Sequence, residues 1–178
     1  MSSEGTRGRE LQDAAFMTRA LELAAIGVSR GQTPFGAVVV DSDGQVVGEG
    51  HNTVRADLDP TAHGEIVAIR AAWQHLGAWQ RLRDCTVYTS CEPCLLCSFV
   101  ITQMDIGRVV FAARATDVPG YRPLLEADLT AAAAWVNARP DWTPVEVVPD
   151  FMRDQALAII TAFPWRQAAA RTSVRPSS

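Results

Sequence analysis

The sequence predicts an α/β fold: a three-layer α/β/α sandwich built on a mixed five-stranded sheet. Two patterns and one bulk property lead there. Short β-branched runs alternate with longer stretches whose apolar residues recur at helical spacing, in the order helix, strand, strand, then helix and strand in turn to a closing helix. The first two strand-like runs are joined by Asp41-Ser42-Asp43-Gly44, which is hairpin chemistry, whereas the later ones are separated by helical stretches. At 178 residues, 48% hydrophobic and 20% charged, the chain suits one soluble domain with a single core.

Arg9 to Ser29 places Leu11, Ala15, Leu21, Ala25 and Val28 near helical spacing, and Gly27 and Gly31 help to end the helix. Phe35 to Val40 and Gln45 to Gly50 read as the hairpin strands, and Arg55 to Pro60 as a polar loop. A helix from Thr61 to Leu76 follows, with Ile66, Ile69, Ala72 and Trp73 on one face. Thr86 to Thr89 is a short strand, Cys94 to Met104 a helix and Arg108 to Ala112 another strand. Val118 to Pro123 reads as loop, Leu124 to Ala138 as helix, Val145 to Val148 as strand and Met152 to Phe163 as the closing helix. The domain is expected over residues 9–168, with residues 1–8 and 170–178 as flexible tails.

Composition excludes several chemistries. All 16 basic residues are Arg, so a lysine Schiff base, a lysine-bound pyridoxal cofactor and the lysine of a phosphate-binding loop are absent. A net charge of −4 and a pI near 5.3 disfavour broad nucleic-acid binding. The longest apolar runs fall far short of the ~20 residues of a membrane span. Met1 to Glu10 is polar, with no secretory pattern, so a cytoplasmic protein is expected. Cys85, Cys91, Cys94 and Cys97 are clustered in sequence, which in that setting favours metal or catalytic use over disulfides.

Two segments carry the chemistry: Pro60-Thr61-Ala62-His63-Gly64-Glu65 and Cys91-Glu92-Pro93-Cys94-Leu95-Leu96-Cys97. His63, Cys94 and Cys97 supply one imidazole and two thiolates, the donors of a catalytic zinc that keeps a fourth position for water. Cys94 and Cys97 are three apart, hence on one helix face, and Pro93 suits a first helical position. Thr61 is the expected N-cap of the other helix, so two helix N-termini would face one crevice at the carboxyl ends of the strands. Glu65 is the acid/base candidate. Residues two apart on a regular helix point ~200° apart, so His63 and Glu65 share a pocket only if His63 stands at the irregular helix entry. A structural site with Cys91 or Cys85 as fourth ligand is the competing arrangement. His51 and His75 read as surface or satisfied histidines, and Cys85 as a small core residue.

On these residues the chain resembles the zinc-dependent cytidine deaminase superfamily, whose signature is His-x-Glu followed by Pro-Cys-x-x-Cys. Thr33 to Val38, Asp59 to His63 and Tyr88 to Cys94 look most like bacterial guanine deaminases. The resemblance implies zinc on His63, Cys94 and Cys97, with Glu65 as proton shuttle. It implies a base contact from Asn52, an aromatic pocket wall from Phe35, and an aspartate, Asp117, reading the purine edge. The implied reaction is hydrolytic deamination of an amino-substituted nucleobase, guanine to xanthine plus ammonia, in a homodimer. Such dimers swap a C-terminal segment whose aromatic end Phe163, Pro164 and Trp165 resemble. Alternatives are deamination of a nucleoside, another aminopurine or a triazine, a tRNA adenosine deaminase, and a non-catalytic zinc-stabilised scaffold subunit. Three departures stand out: Gly64 replaces the usual Ala, Leu95-Leu96 replaces the usual pair, and Val118 to Val148 does not follow the guanine deaminase pattern.

Overall fold

The computed structural model describes residues 3–121 and 128–165. Helix α1 (Ser3–Ser29) leads into strands β1 (Gly36–Val40) and β2 (Val46–His51). Then come a one-turn helix α2 (Val54–Asp57), α3 (Gly64–Leu76), a 3-10 helix (Trp79–Asp84), β3 (Thr86–Cys91) and α4 (Leu95–Gln103). The rest comprises β4 (Arg108–Ala113), a 3-10 turn (Ala115–Asp117), α5 (Asp128–Asn137), β5 (Glu146–Val148) and α6 (Arg153–Ala162). The strands form one sheet in the order β2-β1-β3-β4-β5. β1 is antiparallel to both β2 and β3, while β3, β4 and β5 run parallel. All five expected strands are present, and the sheet is mixed.

Alternating side chains serve two cores. Val39, Val87, Val109 and Phe111 face α3, α4 and α5; Val38, Val40, Tyr88 and Val110 face α1 and α6. Both sheet faces are covered, which is why β1 and β4 read as near-continuous apolar runs and β3 is buried along nearly its whole length. Small residues let α3 lie directly on the hairpin: a Cβ at Gly48 would stand 2.3 Å from the Ala68 carbonyl oxygen, and one at Gly50 2.6 Å from that of Gly64. The hairpin turn is held by Asp41 Oδ1, which accepts the amides of Asp43 (3.0 Å) and Gln45 (2.9 Å), with Gly44 at φ +77°.

Several boundaries move. α1 begins at Ser3, so residues 3–8 extend the helix rather than forming a tail. Residues 170–178, and 124–127 of the helix expected over Leu124 to Ala138, lie outside the described residues. Thr61 does not cap α3, because Asp59 Oδ1 captures both its amide (2.8 Å) and its hydroxyl (2.7 Å) in a local turn. The cap position falls to His63 instead. Pro93 precedes α4, whose N-cap is Cys94. Trp73 stays 45% exposed, off the buried face of Ile66, Ile69 and Ala72.

At the end of the sheet opposite Cys91, Arg108 makes a bidentate pair with Asp13, Nη1 to Oδ1 at 2.9 Å and Nη2 to Oδ2 at 2.7 Å. The Tyr88 hydroxyl donates to Asp13 Oδ1 at 2.6 Å, and all three side chains are buried. Burial opposes ionisation of Asp13, yet the hydrogen bonds from Arg108 and Tyr88 together hold its carboxyl below the usual range.

Candidate metal centre and substrate cavity

Two local breaks in helical geometry bring the site together. His63 has φ −68° and ψ 156°, extended backbone just before α3, so its ring does not follow the helical period that Glu65 obeys. Cys94 likewise has φ −67° and ψ 172°, one residue before α4, which carries Cys97 in its first turn. His63 Nδ1 lies 3.5 Å from Cys94 Sγ and 3.5 Å from Cys97 Sγ, and the two sulfurs are 3.8 Å apart. A tetrahedral zinc with Zn–S ~2.3 Å and Zn–N ~2.0–2.1 Å sets S···S edges of ~3.8 Å and S···N edges of ~3.6 Å. The triangle fits that ion in donor chemistry and in size.

Among the described residues, His63, Cys94 and Cys97 are the group whose ligand atoms converge in this way. Neither alternative cysteine joins it. Cys85 Sγ donates to the Arg81 carbonyl at 3.4 Å, and burial pushes its thiol up to about 11. Cys91 Sγ donates to the Arg114 carbonyl at 3.7 Å, and burial raises that thiol further. With protons alone to share, Cys94 is held down to about 4 by its hydrogen bond to Cys97, helped by one from His63. The same bond, with burial, pushes the Cys97 thiol far up. Such a paired thiolate next to an imidazole is a ready cation receptor.

Glu65 is 6% exposed, and burial pushes its carboxyl up to about 7. It lines a cavity of about 390 Å³ together with His63 and Cys94. The cavity opens beyond Cys91 at the carboxyl end of β3 and between the starts of α3 and α4. Phe35, Val54 and Val118 supply apolar walls; Asn52, Arg55 and Glu92 supply polar ones. Asn52 Oδ1 accepts the Val54 amide at 3.3 Å, which leaves the side-chain NH2 as a donor toward the cavity. His51 is buried and satisfied, Nδ1 against the Asn52 carbonyl (2.9 Å) and Nε2 against Arg30 Nη1 (3.1 Å). Gly64 has a local reason: a Cβ there would stand 2.9 Å from the Phe35 carbonyl oxygen.

Asp117 stands apart from the other sequence candidates. It is absent from the cavity lining. Its Oδ1 accepts from Arg153 Nη2 (2.6 Å), and its Oδ2 from Arg153 Nε (3.0 Å) and the Arg114 amide (2.8 Å). The Arg153 hydrogen bonds hold its carboxyl below the usual range. Trp165 packs on Phe35 of the same chain, ring centroids 6.1 Å apart, with Phe163 against it at 4.7 Å. Sequence spacing gave no hint of that contact, which joins residues 130 positions apart.

Residues 10–113, more than half of the chain, match the cytidine and deoxycytidylate deaminase zinc-binding region, and the chain belongs to that family. Within it, the guanine deaminase of Bacillus subtilis (strain 168) is 50% identical over 103 residues, which are 57% of this chain and 65% of that protein. A tRNA-specific adenosine deaminase of Haemophilus influenzae is 41% identical over 101 residues, 57% of this chain and 58% of the relative. The chain thus matches less than two thirds of the length of either relative. The structure of a guanine deaminase from Nitrosomonas europaea superposes with a TM-score of 0.71 at 26% identity, covering 88% of this chain and 84% of that one. No helix among the described residues is long and apolar enough to cross a membrane.

Proposed function

We propose that the chain is a zinc-dependent hydrolytic deaminase of an aminated purine base, guanine first, yielding xanthine and ammonia. The observation that carries this is the donor triangle of His63, Cys94 and Cys97 opening on the cavity that holds the Glu65 carboxyl. The three residues would hold zinc, which when bound lowers the pKa of water from ~15.7 toward ~7. Glu65 would take a proton from the attacking water and deliver it to the ring nitrogen beside the carbon under attack. It would then carry the remaining hydroxyl proton of the tetrahedral adduct to the amine, which leaves as ammonia as the C–N bond breaks and the C=O bond forms. Phe35 offers a face for stacking, and the Asn52 NH2 a donor for a ring acceptor. The cavity volume falls within the range of small-molecule sites. By resemblance to guanine deaminases the reading includes a homodimer, and four free thiols suit a reducing cytoplasm.

A tRNA adenosine deaminase is the second reading, favoured by the 41% identity to the Haemophilus influenzae protein. The net charge of −4 counts against it, since tRNA is held largely through its phosphates. Ammonia release from guanine, guanosine, adenine, cytidine, aminotriazines and tRNA, each with and without a chelator, separates the two. Chelator-sensitive release from guanine is expected; release from tRNA alone would establish the second reading, and release from none would overturn both.

A further inference from the structure

We propose that Arg153 is a positioning residue for the substrate cavity, acting through Asp117, which shapes the cavity wall without touching the substrate. The inference rests on the reading that the cavity binds the substrate. Asp117 ends the 3-10 turn Ala115–Asp117, and the residues on either side of its carboxylate contacts, Ala115 and Val118, line the cavity. Three donors fill that carboxylate: two from the Arg153 fork and one from the Arg114 amide. A carboxylate so occupied and turned from the lining has little left to offer a ligand.

The surrounding geometry points the same way. Arg153 is the first residue of α6, where the positive end of the helix disfavours a cation, so a paired anion is needed there. Asp150 and Met152, just before α6, both take left-handed backbone, φ 60° and 57°, which non-glycine residues adopt at a cost. That bend is pinned at two points. Arg114 forks onto Asp150, with Nε to Oδ1 at 2.8 Å, and the Phe151 amide donates to the Phe111 carbonyl at 3.0 Å. On the cavity side, Glu92 Oε2 accepts the Ala115 amide at 3.2 Å. The turn is therefore held from α6 on one side and from the cysteine segment on the other.

The test uses zinc-loaded full chain as wild type, Arg153→Gln, Asp117→Asn and the double variant, with two readouts. Amide hydrogen exchange over residues 113–119 should quicken about tenfold or more in each variant, while α3 exchange and zinc content stay unchanged. Guanine turnover should show KM raised about tenfold in both single variants, kcat within a factor of two, and no further loss in the double. Unchanged exchange in Arg153→Gln overturns the proposal. So does an Asp117→Asn loss concentrated in kcat and far exceeding that of Arg153→Gln, which marks direct substrate contact. If wild type releases ammonia from no aminopurine, the proposed function has failed, and the exchange readout alone still decides this inference.

Discussion

Glu65→Gln is expected to retain zinc and to lose deamination by about 10²–10⁴-fold or more, the range of a lost general acid–base group. The substitution keeps the shape of the side chain, so the buried position, 6% exposed at the second residue of α3, is refilled without a cavity. What it removes is the exchangeable proton. An amide can neither accept one from water nor pass one to a ring nitrogen and then to the leaving amine. The zinc donors are on other residues, so the metal stays. Steady-state ammonia release paired with metal analysis reads both quantities, and activity within tenfold of wild type would remove Glu65 from the proposed mechanism.

The second large effect is on stability, at the far end of the sheet. Asp13→Asn should cost about 3–5 kcal/mol, the usual loss when one partner of a buried ion pair is removed. The variant replaces the bidentate partner of the buried Arg108 guanidinium by a neutral amide, leaving it the half-exposed Glu146 carboxylate 3.4 Å from Nε, and strips the Tyr88 hydroxyl of its charged acceptor. The sign of the pH dependence follows from the depressed Asp13 carboxyl. Its stabilisation is fully present above the unfolded pKa of ~3.9 and is lost as pH falls through the lower folded value. Denaturant midpoints of wild type and variant should therefore differ by a constant amount between neutrality and about pH 5 and converge in stronger acid. A difference that persists unchanged to pH 2 would assign the loss to packing instead. Replacing both partners, Asp13→Asn with Arg108→Met, should recover part of the loss, because no charge is then left stranded.

Much of the architecture was legible because it is set by local pattern. The β-branched runs at 36–40 and 108–113 could be buried on both faces only in a central strand, and they are. The donor triangle was legible because His63, Cys94 and Cys97 are zinc-type donors at two helix starts, and the irregular entry that Glu65 needs in order to share their pocket is supplied by the backbone at His63. The misses have two causes, competition between nearby groups and partners distant in sequence. Thr61 is a fair N-cap in isolation, but Asp59 two residues earlier binds it first. Residues 3–8 are poor helix formers, yet they continue α1 beyond Arg9, which is itself tied to Glu146 by an ion pair. The surroundings of Asp117 and Phe35 lay beyond local reading: their partners Arg153 and Trp165 are 36 and 130 residues away and carry no periodic signal.

The chemistry proposed for this chain depends on a zinc ion held by three protein atoms and open at its fourth position. X-ray absorption at the zinc edge of the purified protein measures that directly. The expected shell is two sulfurs at ~2.3 Å, one imidazole nitrogen at ~2.0–2.1 Å and one light oxygen. A shell of three sulfurs and one nitrogen, closed by Cys91 or Cys85, would make the site structural and contradict the account.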